Sequence, residues 1–98
     1  TQPLEEEVKA GDVAIVSIQP NPASANSQIS FMSQNEGRLS LQIMDMTGRI
    51  VADLFNSDVE AGVVYKSDFD ASTLPAGVYM VRLNSGSQSD VDRIQIAK

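Results

Sequence analysis

Turn-forming residues punctuate this chain roughly every ten positions, a spacing that excludes long helices and favours a stack of short strands. The runs between them alternate apolar and polar side chains. "VAIVSI" (13–18) is β-branched and stops at Pro20-Asn21-Pro22, where the prolines remove ladder donors. "SQISFMS" (27–33) sets Ile29 and Phe31 against Gln28 and Ser30. After an Asn35-Glu36-Gly37 turn, "RLSLQIMD" (38–45) puts Leu39, Leu41 and Ile43 on one face and Arg38, Ser40 and Gln42 on the other. Residues 46–49 read as a tight hairpin connection in which Gly48 takes the positive φ of a type I turn with a G1 bulge. "RIVADLF" (49–55) is the return strand, and a loop holding Asn56, Ser57, Asp58 and Gly62 leads to "GVVYKSDF" (62–69), where Val63, Tyr65, Ser67 and Phe69 share a face. "DASTLPAG" (70–77) is a longer turn. The next strand carries Val78, Met80 and Arg82 on one side and Tyr79, Val81 and Leu83 on the other. "NSGSQS" turns the chain into "DVDRIQIAK", with Ile94 and Ile96 alternating.

The expectation is an all-β, immunoglobulin-like antiparallel β-sandwich of about seven strands. Neither the cysteine pair nor the tryptophan of antibody domains is present, so only the architecture is expected. Ile15, Ile29, Phe31, Leu39, Leu41, Ile43, Val51, Leu54, Tyr79, Val81, Leu83 and Ile94 are the expected core. Residues 1–12, "TQPLEEEVKAGD", read as a linker before a single folded unit over 13–98, because Pro3, Gly11 and the glutamate run discourage packing.

The absence of histidine and cysteine narrows the function more than any motif. Serine-histidine-aspartate and cysteine catalysis, the usual zinc sites, disulfides and a near-neutral pH switch are all removed. A formal net charge of −6 disfavours nucleic acid, whose phosphates call for clustered lysine and arginine, and disfavours anionic lipid. No apolar run approaches the ~20 residues that span a bilayer, and a soluble chain is expected. The start at Thr1, without a leader, reads as a mature piece or fragment. Asp68 and Asp70 lie on one side of an extended segment, yet calcium or acid-base chemistry needs further oxygen ligands or a pocket. An Asx-type turn at Asp70 is the simpler reading. "NSGSQS" lacks the lysine and helix N-terminus of a phosphate loop, and no group could activate the serines. No metal, cofactor or small-molecule substrate is expected, and the chain does not read as an enzyme.

Three stretches carry a resemblance: Gln19-Pro20-Asn21-Pro22-Ala23-Ser24, then residues 43–51 around Thr47-Gly48-Arg49, then Leu74-Pro75-Ala76-Gly77-Val78-Tyr79-Met80-Val81-Arg82-Leu83. A last amphipathic strand, Asp92-Arg93-Ile94-Gln95-Ile96-Ala97-Lys98, follows. In this order and spacing they resemble the C-terminal sorting domain of the type IX (Por) secretion system, type A, of Bacteroidetes, over about residues 13–98. The resemblance implies a seven-stranded sandwich that directs a cargo protein, N-terminal to it, across the outer membrane. It also implies passage through the periplasm to the cell surface or medium. There a sortase-like cysteine peptidase usually cuts in the preceding linker, here within residues 1–12, and joins the cargo to anionic lipopolysaccharide. The family's recognition segments fall on Gly77, Val78, Tyr79, Val81 and Arg82, and on Arg93, Ile94, Gln95, Ile96, Ala97 and Lys98. The outer-membrane translocon and the peptidase are then the expected partners.

Two other functions compete. The tail could stay uncleaved as a protein ligand for an outer-membrane or periplasmic partner in surface signalling. Alternatively, the domain could be an adhesive or carbohydrate-binding sandwich, although the aromatics are few and Phe31, Tyr65, Phe69 and Tyr79 read as core-facing. Unpaired strand edges would also offer backbone groups for partner recognition, or for a homodimer.

Overall fold

Alternation with period two becomes two sheets facing one another. The computed structural model describes residues 13–23, 25–86 and 88–97. The expected linker, residues 1–12, and Lys98 lie outside them. The strands are β1 (Val13–Gln19), β2 (Asn26–Ser33), β3 (Gly37–Met44), β4 (Ile50–Val59), β5 (Val64–Asp70), β6 (Gly77–Asn84) and β7 (Ser89–Ile96). A 3-10 turn, Ala71–Thr73, lies between β5 and β6. All pairings between these strands are antiparallel, in a three-stranded sheet of order β1-β2-β5 and a four-stranded sheet of order β4-β3-β6-β7. The expected sandwich of seven strands is the architecture found.

The core lies between the sheets. Ile29, Phe31, Leu39, Leu41, Ile43, Tyr79, Val81, Leu83 and Ile94 are buried as the alternation predicts. Ile15, Val51 and Leu54 are only partly buried, packed against the core's rim. The cause is local. Register shifts fall between Ile15 and Ser17 in β1, and opposite Leu41/Gln42 and Ile43/Met44 where β3 meets β4. A bulge sets two residues against one and breaks the strict in-out rule. The bulge in β1 accordingly leaves Val16 53% exposed. Val13, Ala23, Val59, Phe69, Ala71 and Ile96 complete the core.

One boundary differs from the sequence expectation. Asn56, Ser57 and Asp58 are not loop; β4 runs on to Val59, paired with β3 down to Gly37. Polar residues dominate there because that stretch is exposed apart from buried Val59. Aromatic packing closes one side of the sandwich, with Phe31 edge-on to Phe55 at 5.0 Å between centroids and near-parallel to Tyr65 at 6.1 Å. On the other side β1 runs beside β7, and the Ile15 N–H donates to Asp90 Oδ2 at 2.9 Å.

Candidate functional site

The outward face of the four-stranded sheet is assembled from the middle of the chain and its end. Strand β6 starts at Gly77, whose φ of +154° favours glycine. Tyr79 then points inward, and its hydroxyl donates to the Pro75 carbonyl at 2.7 Å, fastening the preceding turn to the strand. Tyr79, Val81 and Leu83 anchor β6 in the core, so Val78, Met80 and Arg82 must face out. Strand β7 does the same, with Ile94 and Ile96 buried and Val91, Arg93 and Gln95 exposed.

Register brings these outward residues together. Arg82 lies opposite Gln42 on β3 and Val91 on β7; Met80 lies opposite Met44 and Arg93; Val78 lies opposite Gln95. Arg82 and Arg93 are therefore diagonal neighbours on one face, a separation long side chains span easily. Among the described residues neither guanidinium has a hydrogen-bond or ion-pair partner. The contrast with the other arginines is clear. Arg38 Nε donates to Asn56 Oδ1 at 2.9 Å, and Arg49 Nε lies 3.4 Å from Asp45. Asp53, which lies beyond Gln42 in the same cross-strand row as Arg82, receives Gln42 Nε2 at 3.0 Å. Around the two arginines sit Met44 and Met80, half-buried, and Val78, Val91 and Ile50, exposed. The face thus combines apolar area with two guanidinium groups that have no partner among the described residues.

Of the residues expected to serve recognition, the folded domain turns Val78, Arg82, Arg93 and Gln95 outward on this face. Tyr79, Val81, Ile94 and Ile96 are turned into the core, while Gly77 and Ala97 are exposed near the strand ends.

Asn21, which the sequence offers only as part of the Pro20-Asn21-Pro22 turn and of the resemblance, completes the site. Its side-chain amide donates from Nδ2 to the Arg93 carbonyl at 3.1 Å and accepts the Gln95 N–H on Oδ1 at 3.0 Å. Ala23 continues the contact, its N–H donating to Gln95 O at 2.8 Å and its carbonyl accepting the Ala97 N–H at 2.9 Å. The Pro20-Asn21-Pro22-Ala23 segment therefore lies along the outer edge of β7, with Ala23 in a parallel bridge to Ile96. The sequence shows a turn between two prolines here, but not the long-range target of its side chain.

A model of the family described as secretion system C-terminal sorting domain matches residues 17–97. The chain belongs to this family of type IX secretion sorting domains. The match opens inside β1, ends just past β7 and spans both sheets. A search among curated proteins finds no match. Membership makes the chain a C-terminal sorting signal for type IX secretion and places its protein at the cell surface or in the medium. It also implies dealings with the type IX machinery and with a cargo region N-terminal to the domain. The family is not known as catalytic.

The sorting domain's remaining polar motifs serve its own turns. Asp45 organises the Thr47-Gly48-Arg49 hairpin, accepting from Thr47 Oγ1 at 2.5 Å, Thr47 N at 2.9 Å and Arg49 N at 3.1 Å. The Thr47 hydroxyl, the backbone N–H groups of Arg49 and Thr47 and the Arg49 charge hold its carboxyl below the ordinary aspartate value, against a smaller opposing effect of desolvation. Gly48 has φ +90°, as the hairpin reading requires. Asp70 caps the 3-10 turn by accepting from Ser72 N at 2.9 Å and Ser72 Oγ at 2.6 Å, the expected Asx-type arrangement. Asp68 receives Gln28 Nε2 at 3.3 Å. Among the described residues no group of three or more acidic, histidine or cysteine side chains could hold a metal ion.

Proposed function

We propose that this domain is a non-catalytic export signal read through the outward face of its four-stranded sheet. Residues 13–98 act as the signal and residues 1–12 as the tether in which a sortase-like peptidase cuts. The cargo passes from the periplasm across the outer membrane, and the cut made there joins it to anionic lipopolysaccharide. The observation that carries the reading is the pair Arg82 and Arg93, diagonal neighbours without a partner among the described residues, on a face that also carries exposed apolar side chains. A guanidinium left unpaired is available to a carboxylate of a receptor, and apolar neighbours strengthen such a contact by excluding water. Self-association through a sheet edge would fall to β4 or β5, since the end of β7 is covered by Asn21 and Ala23.

The test is a reporter fused to residues 1–98 in a type IX-competent bacterium, blotted in cells and medium for intact and cut forms. Export with loss of the domain is expected, and the N-terminus of the released domain should map within residues 1–12. Export of an uncut fusion would replace cleavage with a retained ligand, and retention inside the cell would remove the sorting assignment.

A further inference from the structure

The last strand of a sandwich is normally its weakest point, because one edge has no strand to pair with. Here that edge is closed from within. Along β7, the backbone groups of Arg93, Gln95 and Ala97 that point away from β6 are taken one after another. The Arg93 N–H donates to Asp92 Oδ1 at 2.8 Å, and its carbonyl accepts from Asn21 Nδ2 at 3.1 Å. The Gln95 N–H donates to Asn21 Oδ1 at 3.0 Å, and its carbonyl accepts from Ala23 N at 2.8 Å. The Ala97 N–H donates to Ala23 O at 2.9 Å. Asn21 itself is exposed, so these bonds are not a by-product of packing a buried amide. Asparagine is the residue that can do this: its side chain carries one acceptor and one donor group, as a peptide unit does. Aspartate could keep only the acceptor half.

We propose that Asn21 is a positioning residue for recognition: it holds the end of β7 in the sheet so that Arg93 and Gln95 stand beside Arg82 and Val78. It also closes the β7 edge, so that a partner binds the face and does not add a strand there. The inference rests on the sorting reading for its biological consequence but not for its physical content. Without the clamp, residues 93–97 keep their bonds to β6, the Arg93 carbonyl and the Gln95 N–H lose their partners, and the Ala23 backbone alone is left to hold that edge. The strand end then frays, Arg93 leaves its place next to Arg82, and the edge is bared at those two groups.

Amide hydrogen exchange and export, measured on the same variants, test this. In Asn21→Ala the Gln95 amide should exchange roughly tenfold faster or more, as expected when hydrogen bonds of ordinary strength are lost. The amides of β2 and β3 should keep their wild-type rates. Export of the fused reporter should fall in parallel. Asn21→Asp retains the acceptor for Gln95 N–H and loses the donor to Arg93 O, so its exchange rate and export should lie between the two. Unchanged exchange at Gln95 and Ala97 in Asn21→Ala would overturn the clamp. Faster exchange with wild-type export would overturn its role in recognition. A wild-type fusion that is not exported would instead sink the sorting reading, and the clamp would then stand or fall on the exchange rates alone.

Discussion

Tyr79 shows how one side chain can serve fold and site together. Its ring is 7% exposed in the core, and its hydroxyl reaches back to Pro75, so the turn that opens β6 is tied to the strand that carries Arg82. Tyr79→Phe keeps the ring and deletes the bond; the expected loss is about 1 kcal/mol in urea denaturation, with the fold retained. Asp45 gives a second prediction at this scale. Its carboxyl is held below the ordinary aspartate value, so the charged form is favoured in the folded state. That contribution is fully present above the unfolded value near 3.8 and fades as pH falls through the lowered folded value. Wild type should therefore exceed Asp45→Asn in thermal stability at neutral pH, and the gap should narrow on acidification below about pH 4. A gap that widens on acidification would contradict the assignment.

At the level of elements, the hairpin joining β3 to β4 depends on Gly48. Nothing stands within 4 Å of a methyl group placed there, so Gly48→Ala costs only backbone conformation. The expected destabilisation is about 1–2 kcal/mol, read by chemical denaturation. Leu41, central in β3 and fully buried, belongs to a different class. Leu41→Ala should cost about 2–5 kcal/mol through lost burial and the cavity left behind. Elements were legible in the sequence wherever alternation was strict. Leu39, Leu41 and Ile43, and Tyr79, Val81 and Leu83, declare both strand and facing. Legibility failed at bulges, because Val16, Val51 and Leu54 break a period that the sequence gives no sign of breaking. It failed also where a strand is polar, as at residues 56–58, whose ladder is set by β3 and not by their own propensity. The role of Asn21 was not legible for a related reason. Its bonds cross more than seventy positions of chain, and no local pattern encodes a contact at that range.

The molecule as a whole sets a net charge of −6 against one face where Arg82 and Arg93 lie diagonally among apolar side chains. Such an arrangement favours a partner that supplies carboxylates next to apolar surface, and the contact should weaken with salt. Its position also explains why the resemblance points to two separate segments and not to one surface. Residues 77–82 and 93–97 become one surface only through β6–β7 register, and that surface takes in Met44 and Ile50 from the hairpin stretch 43–51, which lies outside both segments. The most direct test compares export of the wild-type fusion with that of Arg82→Glu/Arg93→Glu. In parallel, circular dichroism and melting of the isolated domains establish that both fold. Substitutions at these outward positions should leave the fold intact, and the doubly reversed fusion should remain inside the cell while wild type reaches the cell surface or the medium. Equal export of the two folded proteins would contradict the claim that the domain is read through this face.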